Sequence, residues 1–233
     1  MTRRHALARS LLMLMLSLAS APAFAQAQAT KPFEPSVGQA GKDVIWVPTP
    51  QELVDKMMEL ATRNAAAAGV SQRAQFVKAD LFETDFSNAT VVTMFLLPSI
   101  NMRLRPNLLE MRPGTRIVSN SFTMEDWQPD RSETIPNCSQ WCTAHLWIVP
   151  AKVAGTWRLP QGDLQLSQEF QQVTGSLRTG STTQPIVNGK LQGELITFLA
   201  GGVEYSGRVT GDTIQGTART DGKAATWNAT RVR

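Results

Sequence analysis

Side chains with catalytic reach are scarce in this chain. Its 233 residues hold two cysteines, two histidines and one tyrosine. His5 lies in a leader, so His145 alone would have to serve a Ser/His/acid or Cys/His hydrolase. No Gly-x-Ser-x-Gly elbow accompanies it. It opens the apolar run Leu146-Trp-Ile-Val149, so a satisfied, partly buried histidine is the expectation. Glycine is scarce where a ligand loop would need it. Only Gly38, Gly41, Gly69 and Gly114 precede Pro150, and no two of them make a Gly-x-Gly. Such pairs let a backbone approach a small ligand closely. Long apolar runs are also missing after the leader, which leaves no bilayer-spanning helix. Hydrophobic content of 42% and charged content of 18% are those of a globular chain, not a disordered one.

The leader spans residues 1–25. Arg3, Arg4 and Arg9 form a basic start and residues 11–18 a short apolar core. Ala23-Phe-Ala25 is a small-x-small cleavage site before Gln26. This pattern predicts a secretory signal peptide cut after Ala25, and a periplasmic or secreted mature protein. Three of the 23 basic residues lie there and none of the 19 acidic ones, so the mature charge falls from +4 to +1. That removes the electrostatic case for nucleic acid or acidic lipid as a partner.

Residues 26–42 are polar with Pro32 and Pro35 and are expected to form a linker, and Asp43-Val-Ile-Trp-Val47 is a short β-like segment. Thr49-Pro50-Gln51-Glu52 is a helix start, with Thr49 placed to cap and Pro50 at the first helical position. Apolar residues at helical spacing then run without a breaker to Gly69, which predicts one helix over 50–68. Strands are expected over 74–79, 90–97, 115–121 and 145–149, with a helix over 104–111 and a loop over 127–139. Near-continuous apolar runs suit strands buried in a parallel sheet.

After Pro150 the composition changes. Twelve of the 16 glycines lie there, between short alternating segments, and Thr210-Gly-Asp212 and Asp221-Gly222 are hairpin signals. The expectation is an antiparallel β domain over 151–233, a small barrel or a sandwich. Trp157, Phe170, Phe198, Tyr205 and Trp227 would fill its core or line a ligand cavity.

The region 43–150 resembles class I S-adenosylmethionine (SAM) dependent methyltransferases. The resemblance rests on five pieces in order. Val47-Pro-Thr-Pro50 with Leu53-Val-Asp-Lys-Met57 is similar to their leading helix, and Asn64-Ala65 to Gly69-Val70 to the end of the helix before strand three. Phe76-Val-Lys-Ala-Asp80-Leu81 is similar to strand three and its adenine-contacting corner. Leu97-Pro98 to Asn101 is similar to the motif after strand four, beside the methyl-transfer site. Leu109 to Ser119, with Pro113-Gly114, is similar to the turn into strand five. The resemblance implies SAM as cofactor, with Thr49, Asp80 and Leu81 as its contacts and Asn101 at the acceptor. Local readings compete: Asp80 as the cap of its own turn, and Asn101 as a helix N-cap.

The chain departs from the family at one place. Strand one, the Gly-rich loop and strand two should follow the leading helix, yet Leu60-Ala61-Thr62 runs directly into Arg63-Asn64-Ala65. At least one βαβ unit is absent. The expected fold is therefore a truncated Rossmann-like α/β domain (43–150) followed by the β domain (151–233). The expected function is that of an exported methyltransferase-family protein with impaired or lost cofactor binding, inactive as the chain stands. The alternative is a non-catalytic periplasmic binding protein that works through its β domain. Cys138 and Cys142 stand at i and i+4 with His145 at i+7, which leaves a local disulfide, a metal site or a redox pair open.

Overall fold

The computed structural model describes residues 50–232. The expected signal peptide, linker, 43–47 segment and Thr49 cap lie outside the described residues. Contacts divide the chain after Val77 into two compact units.

The first unit presents α1 (Gln51–Ala67), with Pro50 as its N-cap. Within α1 only Ala65 is buried, while Leu53, Met57 and Leu60 are exposed. Gly69 adopts a left-handed φ of 66° and stops the helix, as its sequence position predicts. The strand expected over 74–79 does not form, and Phe76 and Val77 are exposed. A strand needs a neighbour to take its backbone hydrogen bonds. The unit that would supply that neighbour in the family is missing from the sequence.

The second unit begins with a four-stranded sheet. β1 (Val91–Met94) runs into α2 (Pro98–Leu109), which returns to β2 (Arg116–Asn120). β1 and β2 are parallel, so β1-α2-β2 is a crossover unit of Rossmann type. β3 (Arg131–Thr134) and β4 (Thr143–Ile148) complete the order β1-β2-β4-β3, with β4 antiparallel to both neighbours. β3 lies inside the expected loop. All four of its residues are exposed, so no apolar alternation marks it; pairing with β4 makes it a strand. α2 starts at Pro98, earlier than expected, because proline at the first turn needs no amide partner. Its Leu104 and Leu108 pack with Ile117, Met124, Trp127, Trp147 and Val149 into one core.

Strands β5 (Gly155–Leu159), β6 (Gly162–Glu169), β7 (Gln172–Thr179), β8 (Thr182–Pro185), β9 (Val187–Gln192), β10 (Leu195–Ala200), β11 (Val203–Thr210), β12 (Thr213–Thr220) and β13 (Lys223–Arg231) follow as a meander. β8 and β9 are halves of one bent strand, both paired with β7. β13 returns to β5, with Thr230 opposite Arg158, and closes the sheet. The result is an eight-stranded antiparallel barrel, which resolves the barrel-or-sandwich alternative. Trp157, Leu164, Leu191, Ile196 and Ile214 are fully buried inside it. Phe198 stacks on Tyr205 at 4.8 Å, and Trp227 meets both edge to face at 5.9 and 5.5 Å. Trp157, Phe198, Tyr205 and Trp227 belong to the barrel core. At Gly216 a Cβ would lie 1.8 Å from the Ser206 carbonyl oxygen, so neighbouring strands approach there as only glycine permits.

The barrel and the four-stranded sheet share one unit. Phe170, in the turn between β6 and β7, stacks on Trp127 of the other core at 6.0 Å. Gln171 donates from Nε2 to the Gln128 carbonyl (2.7 Å), and the Ala151 amide donates to the Gly193 carbonyl (2.8 Å). No helix among the described residues is long and apolar enough to cross a membrane.

Candidate functional site

Parallel strands joined by a helix leave a crevice at their carboxyl ends, where open α/β sheets bind ligands. Here that place lies past Met94 of β1 and Asn120 of β2. Leu97-Pro98 turns the chain from β1 into α2, and Asn101 stands one turn inside the helix. Leu97, not Asn101, is the N-cap, because the helix starts at Pro98. Asn101 is fully buried. Its Nδ2 donates to the carbonyls of Thr123 (3.2 Å) and Phe122 (3.4 Å), which fastens the segment after β2 to α2. Its Oδ1 has no hydrogen-bond partner among the described residues. In this arrangement the amide ties the segment after β2 to α2.

Asp80 is exposed and turned onto its own chain. Its Oδ1 accepts from the Phe82 amide (2.8 Å), and its carbonyl accepts from the Thr84 hydroxyl (2.6 Å). This is an Asx-turn, the local alternative read from the sequence. Leu81 is part-exposed and lines an apolar groove of about 510 Å³ with Phe86, Val92, Met94, Phe95 and Leu104. The groove carries no charged lining residue. It follows β1, which forms one edge of the sheet. Thr49 lies outside the described residues. The structure therefore leaves Asp80, Leu81 and Asn101 in separate roles: a turn, a groove wall and a buried tie.

A second feature stands at the same carboxyl ends. Phe95 directly follows β1, Phe122 follows β2 by two residues, and Trp141 sits just before β4. Their ring centroids are 5.8 Å (Phe95–Phe122), 5.6 Å (Phe95–Trp141) and 5.2 Å (Phe122–Trp141) apart. Cys138 and Cys142 form a disulfide with Cα atoms 5.8 Å apart, and the loop it closes carries Trp141. Trp141 has a left-handed φ of 57°. Sequence reading missed this triad because its members lie 27 and 19 residues apart and only the β1-β2-β4 pairing gathers them. His145 Nδ1 is hydrogen-bonded to the Ser132 hydroxyl at 2.8 Å. Among the described residues no cluster of His, Cys, Asp or Glu could hold a metal.

Asp130 anchors the far side of the sheet. Its Oδ2 accepts from the Ile148 amide (2.8 Å), and Lys190 of the barrel lies 3.9 Å from Oδ1. Burial pushes its carboxyl above the ordinary aspartate value, against the lowering pull of the Ile148 amide and of Lys190.

A crossover unit of Rossmann type, with its site features at the carboxyl ends of parallel strands, defines the class. Residues 41–131 match the ANTKMT methyltransferase domain. A protein-lysine N-methyltransferase of Saccharolobus islandicus is 39% identical over 99 residues, which are 42% of this chain and 62% of that relative. The chain thus spans under two thirds of the curated relative's length. A crystal structure of an RNA methyltransferase from Salinibacter ruber with S-adenosyl-L-homocysteine is 34% identical. That likeness covers 46% of this chain and 96% of that one, at a TM-score of 0.37, too low to carry a structural argument. Over residues 41–131 the chain is thus similar to SAM-dependent methyltransferases.

Proposed function

We propose that this chain is an exported member of the methyltransferase family that has lost effective SAM binding and acts by binding rather than by methyl transfer. One observation carries the reading. From α1 to Lys78 there is no strand and no glycine pair, and the first strand of the sheet is β1. The backbone that would cradle the methionine part of SAM has no counterpart. The residues present do not fit the cofactor: Asp80 is engaged with Phe82, and the groove beside Leu81 is apolar. Export through the 1–25 leader supports the reading, because SAM is a product of the cytoplasm. The acceptor class suggested by the archaeal relative is a protein lysine. A chain without a cradle for the methyl donor would bind such a partner without modifying it.

Isothermal titration of the purified chain with SAM tests this. The expected outcome is no saturable heat; micromolar affinity would overturn the reading. A ligand held inside the barrel is disfavoured by its filled core, so binding through the β domain would use its outer face.

A further inference from the structure

We propose that the triad of Phe95, Phe122 and Trp141 binds a quaternary ammonium group. This does not depend on whether SAM binds.

The first support is position. All three rings meet at the carboxyl ends of the parallel pair β1–β2 and the facing start of β4. Ligands of open α/β sheets lie there. The second is exposure without a cation. Phe95 is 53% and Trp141 52% exposed. Three other aromatics of the chain carry arginines over their faces: Arg103 on Phe82 at 3.5 Å, Arg231 on Trp157 at 4.3 Å and Arg105 on Phe170 at 5.3 Å. Among the described residues no lysine or arginine covers a ring of the triad in this way. The third is restraint. Trp141 stands in a disulfide-closed loop in a left-handed conformation that a bulky residue rarely adopts. A half-exposed tryptophan held in that way is ordered before any ligand arrives.

Chemistry then selects the ligand. Ring faces attract cations through their quadrupole and repel anions. The three rings offer no oxygen acceptor, so a bare ammonium would leave its N–H groups unpaired there. A quaternary ammonium has no N–H group to satisfy. Ser121, next to Phe122 in the chain, is neutral and paired: it donates from Oγ to Asn120 Oδ1 (2.8 Å) and from its amide to the Thr143 carbonyl (2.7 Å).

The test is a titration of the ¹⁵N-labelled full chain, disulfide intact, with choline and with 3,3-dimethyl-1-butanol, its uncharged isostere. The readout is the indole N–H resonance of Trp141, assigned by its loss in Trp141→Phe. Choline is expected to bind about three- to tenfold more tightly than the isostere. Trp141→Ala, read on the backbone amides of Phe95 and Phe122, is expected to abolish that preference while the other indole resonances stay in place. Phe95→Ala, read on the Trp141 indole, is expected to weaken choline binding by a similar factor and serves if Trp141→Ala fails to fold. Equal affinity for both compounds, no shift with choline, or a choline preference that survives loss of either ring would overturn the proposal.

Discussion

The two sheets of the second unit handle their edges in opposite ways. The barrel has no free edge: β5 to β13 pair in sequence and β13 returns to β5. Among the described residues the four-stranded sheet has two, and β1 stands on one of them with Val91 and Phe95 exposed. An open edge leaves backbone donors and acceptors unpaired, and closure removes them. The sheet that lacks the βαβ unit expected from the family resemblance is the open one, and the sheet built from consecutive hairpins is the closed one. The open sheet leans on the barrel, through Phe170 on Trp127 and Gln171 on Gln128, for part of its core.

The largest expected effect is on fragments. Residues 151–233 expressed alone should give a dispersed amide spectrum, because the barrel closes on its own core. Residues 78–150 alone should not, since they lose Phe170 and the strap of hydrogen bonds from the barrel. A well-folded 78–150 fragment would break the comparison. Next is Trp157→Ala, which empties a fully buried site and removes the 2.8 Å bond from its Nε1 to the Val153 carbonyl. Urea unfolding should show a loss of about 3–5 kcal/mol. Val91→Ala on the open edge should lose under about 1 kcal/mol by the same measurement.

Asn101→Ala should destabilise by about 1–3 kcal/mol, because it strips a donor from two carbonyls beside a fully buried side chain. Denaturation measured with and without SAM should show the same loss, as a buried tie predicts. A neutral Asn101→Ala would remove Asn101 from its assigned place. The smallest effect is on pH dependence. Burial raises the Asp130 pKa in the fold, so the folded state binds its proton more readily than the unfolded chain. Its contribution to stability is therefore greatest at low pH and falls as pH rises from the ordinary aspartate value through the raised one. Asp130→Asn should flatten that part of the stability curve; an unchanged slope would show that Asp130 does not titrate in this way.

Local chemistry makes much of this legible in advance. Gly69 ends α1, Pro98 begins α2, and Gly211 and Gly222 stand in hairpin turns, each for a reason carried by the residue itself. Asp80 can be read as a turn cap because an Asx-turn needs only the next two residues. Other features are hidden because their causes are distant. The 74–79 run has strand composition, yet a strand exists only with a partner. β3 has no apolar pattern, yet it is a strand because β4 lies beside it. Residue type suggests Asn101 as a helix cap, but the cap falls at Leu97, one turn earlier, and Asn101 goes into the core instead.

By itself, then, the sequence determined the leader pattern, the missing Gly-rich unit, the methyltransferase resemblance and the change to an antiparallel domain after Pro150. All of these depend on residue identity over short spans. Tertiary structure alone decided that the β domain closes as a barrel, that Phe198, Tyr205 and Trp227 pack together in its core, and that Phe95, Phe122 and Trp141 meet. Those outcomes depend on which strands pair, and pairing is a contest among backbone partners far apart in the chain.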